Sequence, residues 1–74
     1  MTRAELDRAL IAAHDAGDGV HLAALYARGA AAETVPKAKA FFLTQAYIFA
    51  LEAGLPEAET YRAKLVALGA DHDA

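Results

Sequence analysis

Hydrophobic and polar residues along this chain follow the period of an α-helix, in four successive segments. In the first segment Leu6, Leu10 and Ala13 recur at a spacing that places them on one side of a helix. In the second segment Leu22 and Leu25 begin a similar stripe. The pattern predicts four helices, at about 3–16, 19–32, 35–53 and 56–68, and a short tail at 70–74.

Residues typical of helix ends separate these segments. Thr2 is the expected N-cap of the first helix, and Glu5 three residues later completes a capping-box pattern. Gly17 suits the left-handed conformation that closes a helix, and Asp18 is the expected N-cap of the second helix. Gly29 either lies within the second helix or ends it early, which would leave residues 30–33 as a loop.

The same signals bound the last two helices. Thr34 is the expected N-cap of the third helix, where Pro36 fits the first turn because a missing N–H has little effect there. Gly54 is expected to end the third helix, and Pro56 to open the fourth. On the fourth helix Leu68 falls on the face that also carries Ala58, Tyr61 and Leu65, which we expect to point inward.

The third segment contains an uncharged run at residues 40–51, with all three phenylalanines of the chain. A helix that is apolar nearly all round is normally buried, so we expect this to be the central helix. Two faces of this helix are suited to the core: one carries Leu43, Tyr47 and Leu51, and the second carries Phe42, Ala46, Phe49 and Ala53. A third strip is the part that so small a core is least able to cover, and its residues are Phe41, Gln45, Ile48 and Glu52.

Composition supports an all-α fold. Hydrophobic residues make up 57% of the 74 positions, and much of this is alanine, the strongest helix former. Valine, isoleucine and threonine are scarce, which argues against a sheet. The length corresponds to a single domain, 1–74, and short connections favour four antiparallel helices in two hairpins.

Two short stretches repeat along the chain. The stretch at Ala24–Ala30 (ALYARGA) matches Lys64–Ala70 (KLVALGA) at an offset of 40 residues. Together with QAYIFALEAG at 45–54 and PEAETYRAKL at 56–65, the sequence resembles the tetratricopeptide (TPR) superfamily and its Sel-type relatives. The resemblance implies paired TPR-like helical hairpins and binding of a protein partner on a concave surface.

Charge and cysteine content exclude several classes of function. The net charge is −3 and no basic patch is present, so nucleic-acid binding lacks its electrostatic basis. The chain has no cysteine, which fits a reducing cytosol. The start resembles no signal peptide, and the apolar run at 40–51 is shorter than the roughly 20 residues that span a bilayer. We therefore expect a cytoplasmic protein with no membrane contact.

Candidate chemistry is sparse. His14, Asp18 and His21 have the spacing most like that of a metal site, but Gly17 and Gly19 interrupt the helix between them, which favours a solvated junction. The tail at 71–73 (DHD) could also bind a metal weakly, although a solvated tail is the simpler interpretation. The chain has neither serine nor cysteine, so no nucleophile–histidine pair can use them. We predict no enzyme, no catalytic residue, no cofactor and no metal site.

These observations predict a small protein-interaction or adaptor module. The first alternative is a self-associating, homodimeric regulator or accessory subunit, and the least favoured is a metal-binding protein or enzyme. The aromatic side chains of the third helix could instead line a small-molecule pocket, although core packing is the favoured interpretation. The expected protein interface combines the open strip of the third helix with an apolar residue outside the first stripe: Ile11, Phe41, Gln45, Ile48 and Glu52.

Overall fold

Four helices account for most of residues 1–69, the part of the chain that the computed structural model describes. They are α1 (Arg3–Ala16), α2 (Gly19–Ala32), α3 (Pro36–Glu52) and α4 (Glu57–Leu68). No strand occurs within residues 1–69. The all-α, four-helix prediction is confirmed, and the predicted helix bounds are correct to within one residue. The expected tail at 70–74 lies outside the described residues.

Helix α1 begins and ends at the predicted residues because its caps are local. The Thr2 hydroxyl accepts a hydrogen bond from the Glu5 N–H at 3.1 Å. In return, the Glu5 carboxylate accepts one from the Thr2 N–H at 2.7 Å. Gly17 closes the helix with φ 66°, and the Asp18 side chain then caps α2 by accepting from the N–H of His21. Both predicted N-caps are therefore confirmed.

Helix α3 is not capped by Thr34, so this prediction is wrong. Its N-cap is Val35, which provides no side-chain hydrogen bond. The neighbouring backbone is instead held by Glu33, whose Oε1 accepts from the N–H of Thr34 at 3.1 Å and of Val35 at 3.3 Å. No side chain therefore caps the first N–H groups of α3, and the bonds to Glu33 hold only the connection that precedes the helix.

The helices pack mainly on their sequence neighbours: α1 on α2, α2 on α3 and α3 on α4. Connections of two to four residues make packed neighbours run antiparallel. The most extensive contact joins α2 and α3, so these two helices together form the centre, rather than α3 alone. The resulting body measures 36 × 27 × 15 Å.

Three groups of buried side chains form the core. The group at α1 and α2 comprises Leu6, Ala13, Leu22 and Leu25. The group at α2, α3 and α4 comprises Ala30, Phe42, Leu43 and Leu65. The third group brings the same three helices together through Ala23, Ala50 and Ala58, whose small side chains allow close approach. None of the buried side chains in residues 1–69 is polar or charged.

Gly29 lies inside α2 and does not end it. A Cβ on this residue would lie 3.1 Å from Leu6 Cδ2 and 3.2 Å from Phe42 Cδ1. Glycine at this position therefore lets α1 and α3 approach α2 closely. Gly69, its counterpart in the repeated stretch, instead closes α4 with φ 76°. The two matching stretches thus use glycine differently.

Two leucines that we expected to point inward are exposed. Leu51 on α3 is 54% exposed and Leu68 on α4 is 38% exposed. In the last turns of α3, Ala50 rather than Leu51 faces the helices α2 and α4, and it is fully buried against Ala23 and Ala58. The close alanine contact sets the rotation of α3, and it turns Leu51 towards solvent.

Candidate protein-interaction groove

A groove of about 540 Å³ lies between α1 and α3. Leu10 of α1, Tyr26 of α2 and Phe42 of α3 contribute to its lining, and Phe41 and Val35 add exposed apolar surface. Because α1 packs on α2 more than on α3, the space between α1 and α3 is not closed by side chains. An apolar groove of this size can accept side chains of another molecule.

Aromatic rings hold the helices that shape this groove. Tyr26 stacks on Phe49 with ring centroids 5.8 Å apart and planes only 2° from parallel. The edge of His14 on α1 meets Phe49 at 5.7 Å. The Nε2 atom of His14 lies 3.0 Å from the Tyr26 hydroxyl oxygen, at hydrogen-bond distance. This cluster connects α1, α2 and α3, so the groove has a fixed base.

Arg3 organises the polar part of the groove. Its guanidinium lies 5.1 Å from the centroid of the Phe42 ring, within the range of a cation–π contact. Its Nε donates to Asp7 Oδ1 at 3.2 Å, and one Nη lies 3.9 Å from Glu33 Oε2. Lys37 adds a second positive charge to the lining and forms no ion pair with residues 1–69. The apolar groove therefore has charges of both signs along its sides.

The five candidate interface residues occupy different parts of this surface. Phe41 lines the groove and is 57% exposed. Ile48 is 40% exposed, Glu52 is exposed and Gln45 is half-buried, and helical spacing continues this strip from Phe41 along α3. Ile11 is 62% exposed on α1 but does not line the groove. The openness expected for the strip is observed, and its role as an interface stays a prediction.

The sequence did not identify several residues of this surface. Arg3, Leu10 and Val35 line the groove, and Leu51 adds exposed apolar area one turn beyond Ile48. Arg3 and Asp7 are four residues apart on one helix, a spacing from which an ion pair beside the groove could have been predicted. No sequence pattern indicated that α1 and α3 would stand apart.

The three residues with metal-like spacing have separate roles. His14 contacts aromatic rings, while Asp18 Oδ1 accepts from the backbone N–H of His21 at 3.0 Å. The His21 ring nitrogen Nδ1 lies 4.0 Å from Asp18 Oδ2. Within residues 1–69, no three His, Asp or Glu side chains converge as a metal ion would require. The second candidate stretch, 71–73, lies outside the described residues.

No protein-family model, no curated protein and no solved structure matches the chain.

Within residues 1–69, no helix is both long enough and apolar enough to cross a membrane.

Proposed function

We propose that this chain is a small protein-interaction or adaptor module with a TPR-like arrangement of helices, acting in the cytoplasm. The observation that supports it most is Phe41, whose side chain is 57% exposed beside an apolar groove of about 540 Å³. Exposed aromatic side chains next to a groove are typical anchors at protein interfaces. The proposal assigns no reaction, cofactor or nucleic acid to the chain.

The mixed charges beside the groove support a protein partner over a purely apolar ligand. Arg3, Asp7, Glu33 and Lys37 offer donors and acceptors around an apolar centre. Protein interfaces have the same organisation, with an apolar centre and a polar rim. The exposed strip from Phe41 through Ile48 extends the apolar area along α3, so a partner could contact both the groove and the helix beside it.

Affinity capture with surface variants tests the adaptor function. We expect Phe41→Glu and Ile48→Glu to lose proteins that the wild type recovers, because each places a charge in the apolar surface. Val20→Glu is the matched control, since Val20 is 54% exposed on α2 and lies outside the groove. Circular dichroism of all variants establishes that they are folded. If folded Phe41→Glu and Ile48→Glu recover the same proteins as wild type, the proposed surface is wrong.

A homodimeric regulator or accessory subunit is the second candidate function. It is favoured by Ile48 and Leu51, exposed apolar side chains one turn apart on α3. The same patch on a second copy could pack against it around a two-fold axis. Sedimentation equilibrium at micromolar concentration tests this alternative. A dimer that Ile48→Glu converts to a folded monomer would support it, and a monomeric wild type would contradict it.

A further inference from the structure

A second groove, of about 350 Å³, lies on another side of the molecule, where α2, α3 and α4 meet. Its apolar lining consists of short alanine side chains from α2 and α4, together with Leu43 and Leu68. Leu68 belongs to the face expected to be buried but is 38% exposed here. The volume is near the lower end of the range of about 300–1,000 Å³ that small-molecule sites span.

Two lysines supply the charge of this groove. Lys39 on α3 and Lys64 on α4 both line it, and none of the described residues that line it is acidic. Lys39 is held in place because its Nζ donates to the Ala30 carbonyl oxygen at 2.6 Å. Lys64 forms no ion pair with residues 1–69. In a chain of net charge −3, this groove carries a local excess of positive charge.

Tyr61 adds a hydroxyl group to the same lining. Burial, and to a smaller extent the Glu57 carboxylate, raises the pKa of Tyr61 above its usual value near 10. The hydroxyl therefore keeps its proton at neutral pH and can donate a hydrogen bond. No residue of 1–69 hydrogen-bonds to it. A ligand anion in the groove would thus meet two ammonium groups and one free O–H donor.

The walls of the groove disfavour a peptide in extended conformation as its occupant. They are formed by helices, whose backbone N–H and C=O groups are hydrogen-bonded within each helix, and the Ala30 carbonyl is already bonded to Lys39. The backbone of a peptide bound in extended conformation would lose water without gaining partners here, and unpaired polar groups are costly to bury. An alkyl chain has no such groups and gains by covering alanine and leucine.

From this combination we propose that the groove binds an unbranched aliphatic carboxylate. Lys64 and Lys39 bind the carboxylate, and the alkyl chain lies against Ala27, Ala67 and Leu68. The ligand class follows from the chemistry of the lining, in which two lysines lie beside an apolar surface of alanine and leucine. This site shares no lining residue with the groove between α1 and α3.

Calorimetric titration with sodium decanoate tests the proposal directly. We expect saturable, one-to-one binding below the concentration at which decanoate forms micelles. Two probes with the same alkyl chain, decanol and decyltrimethylammonium, should bind at least about tenfold more weakly because they lack the negative charge. Amide chemical shifts recorded in the same titration should change at Ala27, Ala31 and Leu68 rather than along α1.

Charge and shape variants locate the site. Lys64→Gln should weaken decanoate binding about tenfold, because it removes a charged hydrogen bond. Lys37→Gln, which removes the same charge from the other groove, should change it less than about twofold. Ala67→Leu fills the proposed groove and should abolish binding, whereas Ala63→Leu lies on the same helix outside its lining and should not.

Several outcomes would overturn the proposal. It fails if decanoate does not bind, or if the three decyl probes bind equally, which would indicate unspecific apolar adsorption. It also fails if an aspartate-rich peptide displaces decanoate with higher affinity, because the groove would then serve an acidic protein segment. A wild-type dimer that Lys64→Glu converts to a folded monomer would assign the groove to a second copy of the chain.

Discussion

Gly29 of α2 lies against the Cδ1–Cε1 edge of the Phe42 ring on α3. A Cβ built on Gly29 would be 3.2 Å from Cδ1 and 3.3 Å from Cε1 of that ring, closer than ordinary van der Waals contact. The ring is itself held from other sides, by the Arg3 guanidinium at 5.1 Å and the Tyr26 ring at 6.2 Å. The contact between α2 and α3 at this point therefore depends on the absence of a side chain.

Replacing Gly29 by alanine should lower the free energy of unfolding by about 1 kcal/mol. Alanine gains about 1 kcal/mol of helix propensity over glycine, while overpacking a core costs about 1–3 kcal/mol. Gly19→Ala is the matched control, since nothing lies within 4 Å of a Cβ on Gly19, and this variant should be neutral or stabilising. Urea denaturation measures both values. If Gly29→Ala is as stable as Gly19→Ala, Phe42 is not held as tightly as we infer.

The adjacent residues Phe41 and Phe42 should respond very differently to truncation. Phe42 is 6% exposed, so Phe42→Ala should cost about 3–5 kcal/mol of unfolding free energy. Phe41 is 57% exposed, so Phe41→Ala should cost at most about 1 kcal/mol. Chemical denaturation of the two variants checks the difference. Equal losses would mean that Phe41 supports the fold and is not a free surface side chain.

The bounds of α1 and α2 were predictable because their signals are local. Helix α1 is capped by Thr2 and Glu5 and closed by Gly17, and helix α2 is capped by Asp18. Each of these residues acts on the end of an adjoining helix, so its effect does not depend on the rest of the fold. The start of α3 was predicted less well. There Val35 is the N-cap and provides no side-chain hydrogen bond, while Glu33 accepts from the N–H groups of Thr34 and Val35 before the helix begins.

The candidate site was only partly predictable, for a related reason. Helical periodicity separated Phe41 and Ile48 from the core positions, and both are exposed. Periodicity does not show which helix each face packs against, so the sequence placed Leu51 in the core. In the structure, the close contacts of Ala50 with Ala23 and Ala58 turn Leu51 towards solvent. The groove itself arises from the separation of α1 and α3, which depends on how both pack on α2.

The capping box of α1 should make stability depend on pH in a defined direction. Hydrogen bonds from Thr2, first the backbone N–H and then the hydroxyl, hold the pKa of Glu5 below its usual value near 4.5. A carboxyl group whose pKa is lower in the folded state than in the unfolded state stabilises the folded state at pH values above the unfolded pKa. This stabilisation is lost as the pH falls through the pKa that Glu5 has in the folded state.

Glu5→Gln tests this dependence, because glutamine can still accept the hydrogen bond but does not ionise. We expect wild type to have the higher melting temperature at neutral pH, and the two to converge as pH falls below about 4. Circular dichroism melting curves across this range measure the difference. If the difference in melting temperature between wild type and Glu5→Gln stays constant down to about pH 3, the charge of Glu5 does not stabilise the fold through this cap.

The junction of α1, α2 and α3 should depend on the ring of Tyr26 more than on its hydroxyl. The hydrogen bond between the hydroxyl and His14 Nε2 is exposed, so water can replace either partner. Tyr26→Phe keeps the stacking on Phe49 and should cost about 0.5 kcal/mol of unfolding free energy. Tyr26→Leu loses this aromatic pair and the contact with Phe42, and should cost about 2 kcal/mol. Urea denaturation of both variants distinguishes the two contributions, and equal losses would assign the junction to the hydrogen bond between Tyr26 and His14.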